Sequence, residues 1–203
     1  NRADLLQRGG AYPPPPGASP IMGLECSGVV TELGEGVASV ALGDEVCALL
    51  AGGGYAEEAV VPAGQVLPVP RGVDCVDAAV VPEVFATAHL NLYMEAALAP
   101  AERVIVHAGA SGVGTAAVHM LRYTNNPCFV TVGNQDKLAQ CVELGASGGA
   151  IRHEGSFLPG VQDWLEASGA AGVDVILDHV GGQYLMYNLR ALGLGGRLVL
   201  IGL

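Results

Sequence analysis

The sequence predicts an α/β chain in which a β-rich piece is followed by a doubly wound parallel sheet. Three observations carry this. Compact apolar runs separated by glycine turns fill the first third. Asp77 to Ala97 then lacks glycine and is rich in Ala and Leu. Beyond it, short apolar runs without polar alternation are separated by single helical segments, the pattern of parallel strands covered on both faces.

The elements follow in order. Asn1 to Arg8 fits a short helical turn, and Pro13-Pro14-Pro15-Pro16-Gly17 cannot be helix. Glu25 to Leu33, Glu45 to Leu50 and Tyr55 to Val61 are the first apolar runs, with Gly43-Asp44 and Gly52-Gly53-Gly54 as turns. They suit a barrel-like or sandwich domain. Val66 to Val69 is demoted to an edge by Pro68. Asp77 to Ala97 reads as helix interrupted near Pro82. Strands are predicted at Val104-Ile105-Val106, Phe129 to Val132, Ala150-Ile151, Val173 to Leu177 and Arg197 to Ile201. Helices are predicted at Gly114 to Tyr123, Asp136 to Leu144, Phe157 to Ala167 and Gln183 to Leu192.

Composition excludes several classes of function. Of 203 residues 51% are hydrophobic and 14% charged, which supports a packed core rather than a disordered chain. The net charge is −11, and Lys137 is the only lysine. A nucleic-acid or anionic membrane surface needs a basic stripe, and the eight arginines are scattered. The longest charge-free stretch, Val104 to Leu121, has the length of a membrane helix. Its glycines and histidines fit strand, turn and helix better, so a soluble protein is expected. Cys26, Cys47, Cys75, Cys128 and Cys141 form no C-x-x-C pair and read as small buried hydrophobes in a reducing compartment.

The sharpest motif is Val104-Ile105-Val106-His107-Ala108-Gly109-Ala110-Ser111-Gly112-Val113-Gly114, which closes a predicted strand and opens a predicted helix. That is the setting of a dinucleotide fingerprint. Gly109 would make the tight turn, Gly114 would bring helix and strand close, and the helix N-terminus would face a pyrophosphate. Ser111 stands where the middle glycine would be. The next strand ends in Val132-Gly133-Asn134-Gln135, without the carboxylate that binds the ribose of NAD. Lys137 follows, either as a 2′-phosphate ligand or as a surface lysine, with Asp136 beside it. NADPH is the expected cofactor.

Across essentially every residue the chain resembles the zinc-free quinone oxidoreductase branch of the medium-chain dehydrogenase/reductase superfamily. This is the zeta-crystallin-like group, and the likeness is greatest to the tumour-suppressor-inducible quinone oxidoreductase type. Asn1 to Leu5, Tyr12, Pro14 to Ser19, Gly23 to Gly28, Gly43-Asp44, Pro82-Glu83, Thr87-Ala88, His107 to Ala117, Leu177 to Gly182 and Leu200 to Leu203 carry it. The resemblance implies a partial GroES-like catalytic domain over 1–82, lacking its opening strands, and a Rossmann domain over 83–203, lacking its last strand and C-terminal return. Zinc-dependent relatives carry His-Glu where this chain has Leu24-Glu25, so no metal is expected. A cytoplasmic homodimer acting on a small quinone or activated carbonyl is implied, with a mitochondrial location left open.

The resemblance also assigns roles. Asn1 and Tyr12 would be the catalytic residues, near the nicotinamide and the substrate; Tyr12 alternatively packs on the proline run. Thr87 would contact the nicotinamide side or only back-bond in its helix. Ser111, Gly112 and Val113 would touch the pyrophosphate. Gly133, Lys137 and Arg152 would surround the adenosine phosphate, although Arg152 replaces the usual tyrosine and reads equally as a surface residue. Val180, Ile201 and Leu203 would line the nicotinamide. His179 reads as structural, and Glu25 as an anchor for backbone N–H groups. The leading function is metal-free, NADPH-dependent quinone reduction. The alternatives are reduction of an alkenal, enone or enoyl thioester, and an inactive NADPH-binding structural or assembly subunit.

Overall fold

The computed structural model describes residues 1–152 and 156–202. They form two compact units, Asn1–Val84 and Phe85–Leu203.

In the first unit, helix α1 (Arg2–Arg8) precedes an antiparallel sheet of β1 (Glu25–Val29), β2 (Glu45–Leu49) and β3 (Val66–Pro68), in that order. Pro68 therefore ends an edge strand, where its missing N–H costs no ladder bond. Tyr55 to Val61 is not a strand. The Tyr55 N–H bonds the Met22 carbonyl, residues 55–60 are exposed, and the segment finds no ladder partner among the described residues. Glycine is required where these stretches meet. Gly23 has φ +103°, and a Cβ there would lie 2.5 Å from the Tyr55 nitrogen. Helix α2 (Cys75–Ala78) is capped by Asp74, whose Oδ1 accepts from the Asp77 N–H at 2.8 Å.

The helix predicted over Asp77 to Ala97 breaks before Pro82 as expected and comprises three pieces: α2, α3 (Pro82–His89) and a π-helical turn, Leu90–Glu95. Proline at the first position of α3 sets its start, because the N–H it lacks would be unpaired there anyway.

The second unit is a five-stranded, all-parallel sheet of β4 (Val104–Val106), β5 (Cys128–Val132), β6 (Gly148–Ile151), β7 (Val173–Asp178) and β8 (Leu192–Leu200). The strand order is β6-β5-β4-β7-β8. Helices α4 (Gly112–Tyr123), α5 (Gln135–Leu144), α6 (Leu158–Ala167) and α7 (Leu185–Ala191) connect the strands. Every residue of β4 and β5 is buried, which explains their unbroken apolar sequence. Ile105, Phe129, Phe157, Val161, Val173 and Ile176 pack in one core cluster. Each large apolar side chain so buried contributes roughly 1.5–3 kcal/mol.

Strand β8 begins earlier than its apolar run predicts. Leu192 pairs with Val173, the ladder resumes at Arg197 opposite Val175, and the glycines between them form an irregular stretch. Gly172 makes room for this, since a Cβ there would lie 2.5 Å from Gly193 Cα. Arg197 then fastens β8 by a two-pronged contact to Glu102, at 2.8 and 2.6 Å, and a 2.9 Å bond to the Ala96 carbonyl. No helix among the described residues is long and apolar enough to cross a membrane.

Candidate cofactor-binding site

The chain leaves β4 for β5 and β6 on one side and then crosses to β7 and β8 on the other. In such sheets ligands bind outside the carboxyl ends of the strands, at the point where the order reverses. A cleft of about 160 Å³ lies at these ends. Ala108, Ala110 and Ser111 line it from the turn after β4, and Thr131, Val132 and Gly133 from the end of β5.

The turn is shaped by close contacts. A Cβ on Gly109 would lie 2.6 Å from Val130 Cβ, and one on Gly114 only 2.5 Å from the Ala108 carbonyl oxygen. The expected division of labour shifts here, because the left-handed residue of the turn is Ala108, at φ +50°, rather than a glycine. Ser111 caps α4, its Oγ accepting from the Gly114 N–H at 3.1 Å. Gly112 and Val113 form the first turn of α4, so their N–H groups stand at the positive end of a twelve-residue helix. They do not line the cleft itself.

The far wall is cationic. Lys137 sits in the first turn of α5, where the Asn134 side chain caps its N–H at 2.9 Å. Arg152 follows β6, its N–H bonded to the Val132 carbonyl at 2.8 Å. Lys137 and Arg152 both line the cleft, and no carboxylate among the described residues does. In a chain of net charge −11 this places two cations together, including its only lysine. Val180, just beyond β7, and Tyr184 complete the lining. Burial pushes the Tyr184 phenol up, and the Arg152 charge partly offsets this.

Of the expected site residues, Ser111, Gly133, Lys137, Arg152 and Val180 thus share one cleft. Thr87 lies in α3 and Ile201 just past β8, where its N–H bonds the Asp178 carbonyl at 2.9 Å; neither lines the cleft. Leu203 lies outside the described residues. Asn1 and Tyr12 belong to the first unit. Asn1 precedes α1 and its Nδ2 donates to Glu25 Oε1 at 3.3 Å, while Tyr12 is half exposed in the loop that follows. Sequence reasoning did not find Thr131 or Tyr184, which reach the cleft from an apolar strand and from the approach to α7.

Glu25 anchors backbone as expected, accepting the Glu83 N–H at 2.9 Å. Burial pushes its carboxyl up, opposed by that bond. A zinc ion does not fit the residues present. Leu24 cannot ligate, and the described residues hold no group of three or more His, Cys, Asp or Glu placed for a metal.

A dinucleotide does fit them. The glycine contacts, the capped helix and the paired cations match its phosphates. A further buried polar atom, His179 Nε2, on the turn that carries Val180, has no hydrogen-bond partner among the described residues. Burial pushes the His179 pKa down to about 4. The unfolded chain, with a pKa near 6.5, binds a proton over this interval that the folded chain does not. Stability of the second unit therefore falls as pH drops from about 6.5 to 4, by roughly 3 kcal/mol from this residue alone. His107, lowered by burial, acts in the same direction, and Glu102, lowered by its Arg197 hydrogen bond, adds to the loss only below about pH 4.5. Urea midpoints read by the single tryptophan, Trp164 in α6, should fall over this range and fall less in His179→Gln. A flat profile would contradict the assignment.

Residues 1–71 match the alcohol dehydrogenase GroES-like domain family, and residues 112–203 the zinc-binding dehydrogenase family. Polyketide synthase GfsB of Streptomyces halstedii is 39% identical over 202 residues, covering 100% of this chain and 3% of that protein. Lovastatin diketide synthase lovF of Aspergillus terreus is 35% identical over 191 residues, covering 91% of this chain and 8% of that protein. Among solved structures, CurK enoyl reductase aligns at TM-score 0.86 and 30% identity, covering 100% of this chain and 62% of that one. A quinone oxidoreductase of Thermus thermophilus, solved also with NADPH, aligns at 0.75 and 33% identity, covering 98% and 60%.

Proposed function

As the chain belongs to the medium-chain dehydrogenase/reductase superfamily, we propose that it is an NADPH-dependent enoyl reductase acting on an α,β-unsaturated thioester. The observation that carries this is its alignment, over all of its length, with a solved enoyl reductase. Its curated relatives support the same substrate class, since they include polyketide synthases of a fungus and a bacterium. This reverses the order expected from sequence, where quinone reduction stood first.

Bound NADPH would supply a hydride, which reduces the carbon β to a thioester carbonyl, and a proton then adds at the α carbon. The residues of this chain bind and orient. Lys137 and Arg152 would hold the 2′-phosphate by charge, and Ser111 with the first turn of α4 the pyrophosphate. Val180 would form an apolar wall beside the nicotinamide half. Asn1, near the nicotinamide, and Tyr12, through its hydroxyl on the substrate side, are the proposed catalytic residues. Thr87, Gly112, Val113, Gly133 and Ile201 keep their proposed cofactor roles. A homodimer is proposed as well.

The second reading, quinone reduction, rests on the likeness to the bacterial quinone oxidoreductase. NADPH oxidation by the intact protein with a crotonyl thioester and with an ortho-quinone separates the two. The enoyl reading expects kcat/KM for the thioester to be about tenfold higher or more, a difference of about 1.4 kcal/mol in transition-state binding. Turnover of the quinone alone favours the second reading. Cofactor affinity without turnover of either favours a structural subunit.

A further inference from the structure

Beneath the cleft, a chain of side-chain hydrogen bonds crosses the reversal point between β4 and β7. His107, just after β4, is fully buried, as are Asp178 and Asn188; Thr131 is nearly so. His107 Nδ1 lies 2.9 Å from Thr131 Oγ1, and its Nε2 lies 2.7 Å from Asn188 Oδ1. Asn188 Nδ2 donates to Asp178 Oδ2 at 2.9 Å. The other carboxylate oxygen, Oδ1, accepts the N–H groups of Val180 and Gly181 at 2.7 and 3.0 Å.

The donor directions are set from one end. Asp178 accepts, so Asn188 presents its amino group there and its oxygen to His107. An amide oxygen only accepts, so the imidazole carries its proton on Nε2. Nδ1 is then the acceptor and the Thr131 hydroxyl the donor. An edge contact from Tyr184 and a tilted one from Phe157, with ring centroids at 4.7 and 4.9 Å, hold the imidazole in place. A buried network whose donors and acceptors alternate in this way has one low-energy arrangement.

A dinucleotide lies across two mononucleotide halves, with its pyrophosphate at the first strand–helix turn. Here β4, β5 and β6 form one half, and β7 and β8 begin the other. The relay joins the two. We infer that Asn188 and His107 are positioning residues for the cofactor, fixing the Asp178–Gly181 turn, and with it Val180, relative to the phosphate-binding turn after β4. The inference rests on the dinucleotide reading above. Neither side chain lines the cleft, so both act through others.

The test is binding of NADPH and of adenosine 2′,5′-bisphosphate, the adenosine half alone, to the intact protein. Asn188→Leu keeps a side chain of similar size and removes both bonds. It is expected to weaken NADPH about 10- to 100-fold and to leave the bisphosphate within about threefold. Loss of both ligands in parallel, or of neither, overturns the inference, because a purely structural network would not separate them. His107→Leu should show the same selective loss. His107→Gln, whose amide nitrogen can stand in for Nε2, should recover most of it; a glutamine variant no better than leucine also overturns the inference. Failure of the unaltered protein to bind NADPH would instead sink the dinucleotide reading beneath it.

Discussion

Gly114→Ala is expected to cost about 2–4 kcal/mol of stability in the second unit, the upper range of overpacking penalties. The added methyl would sit 2.5 Å from the Ala108 oxygen, 2.6 Å from the Gly109 oxygen and 2.7 Å from the Gly109 carbon. All three are backbone atoms of the turn, so no side chain can swing aside. Helix α4 would have to lift, and its buried face of Ala116, Ala117, Val118 and Leu121 would lift with it. The gain of about 1 kcal/mol in helix propensity from Gly to Ala offsets only part of this. NADPH binding should fall about 100-fold, since a shift of about 1 Å misplaces the N–H groups that face the phosphates. Gly133→Ala is the contrast. Its nearest neighbour would be Arg152 Nε at 3.8 Å, and its stability should change by less than about 1 kcal/mol. Urea unfolding read by Trp164 distinguishes the two. Equal stability of the variants would contradict the close packing of turn and helix.

Lys137→Ala should change which cofactor is preferred. A hydrogen bond to a charged phosphate contributes about 1.5–3 kcal/mol, so NADPH should bind roughly 10- to 100-fold more weakly. NADH lacks the 2′-phosphate and should shift by less than about threefold. Arg152 remains in the same wall, so some preference for NADPH survives. An equal effect on both cofactors would refute the phosphate role of Lys137.

Much of the second unit was legible because its strands are buried on both faces. Cys128 to Val132 has no polar alternation, and every residue of it is buried in the structure. The first unit was less legible. Tyr55 to Val61 has the composition of a strand, but strand formation depends on a neighbour that composition does not reveal. Strand β8 starts before the predicted Arg197 because the sheet absorbs the glycine-rich Gly193 to Gly196 as an irregular stretch against β7. At the site, Lys137 was findable as the lone lysine. Thr131 and Tyr184 were not, because neither breaks a local pattern and they meet only where β5 and the approach to α7 converge. Asn188 is harder still. A buried asparagine in a seven-residue helix has no sequence signature until His107 and Asp178 are seen on either side of it.

The proposed function requires the chain to deliver hydride from NADPH to an activated carbon–carbon double bond. The most direct test is isotope transfer by the intact protein from NADPH deuterated at C4 of the nicotinamide to a 2-enoyl thioester in ordinary water. The expected product is a saturated thioester with deuterium at the β carbon and solvent hydrogen at the α carbon, obtained with the label on one face of C4. A reduced thioester without label from either face of C4, or quinone reduced to quinol while the thioester is left untouched, would overturn the proposal.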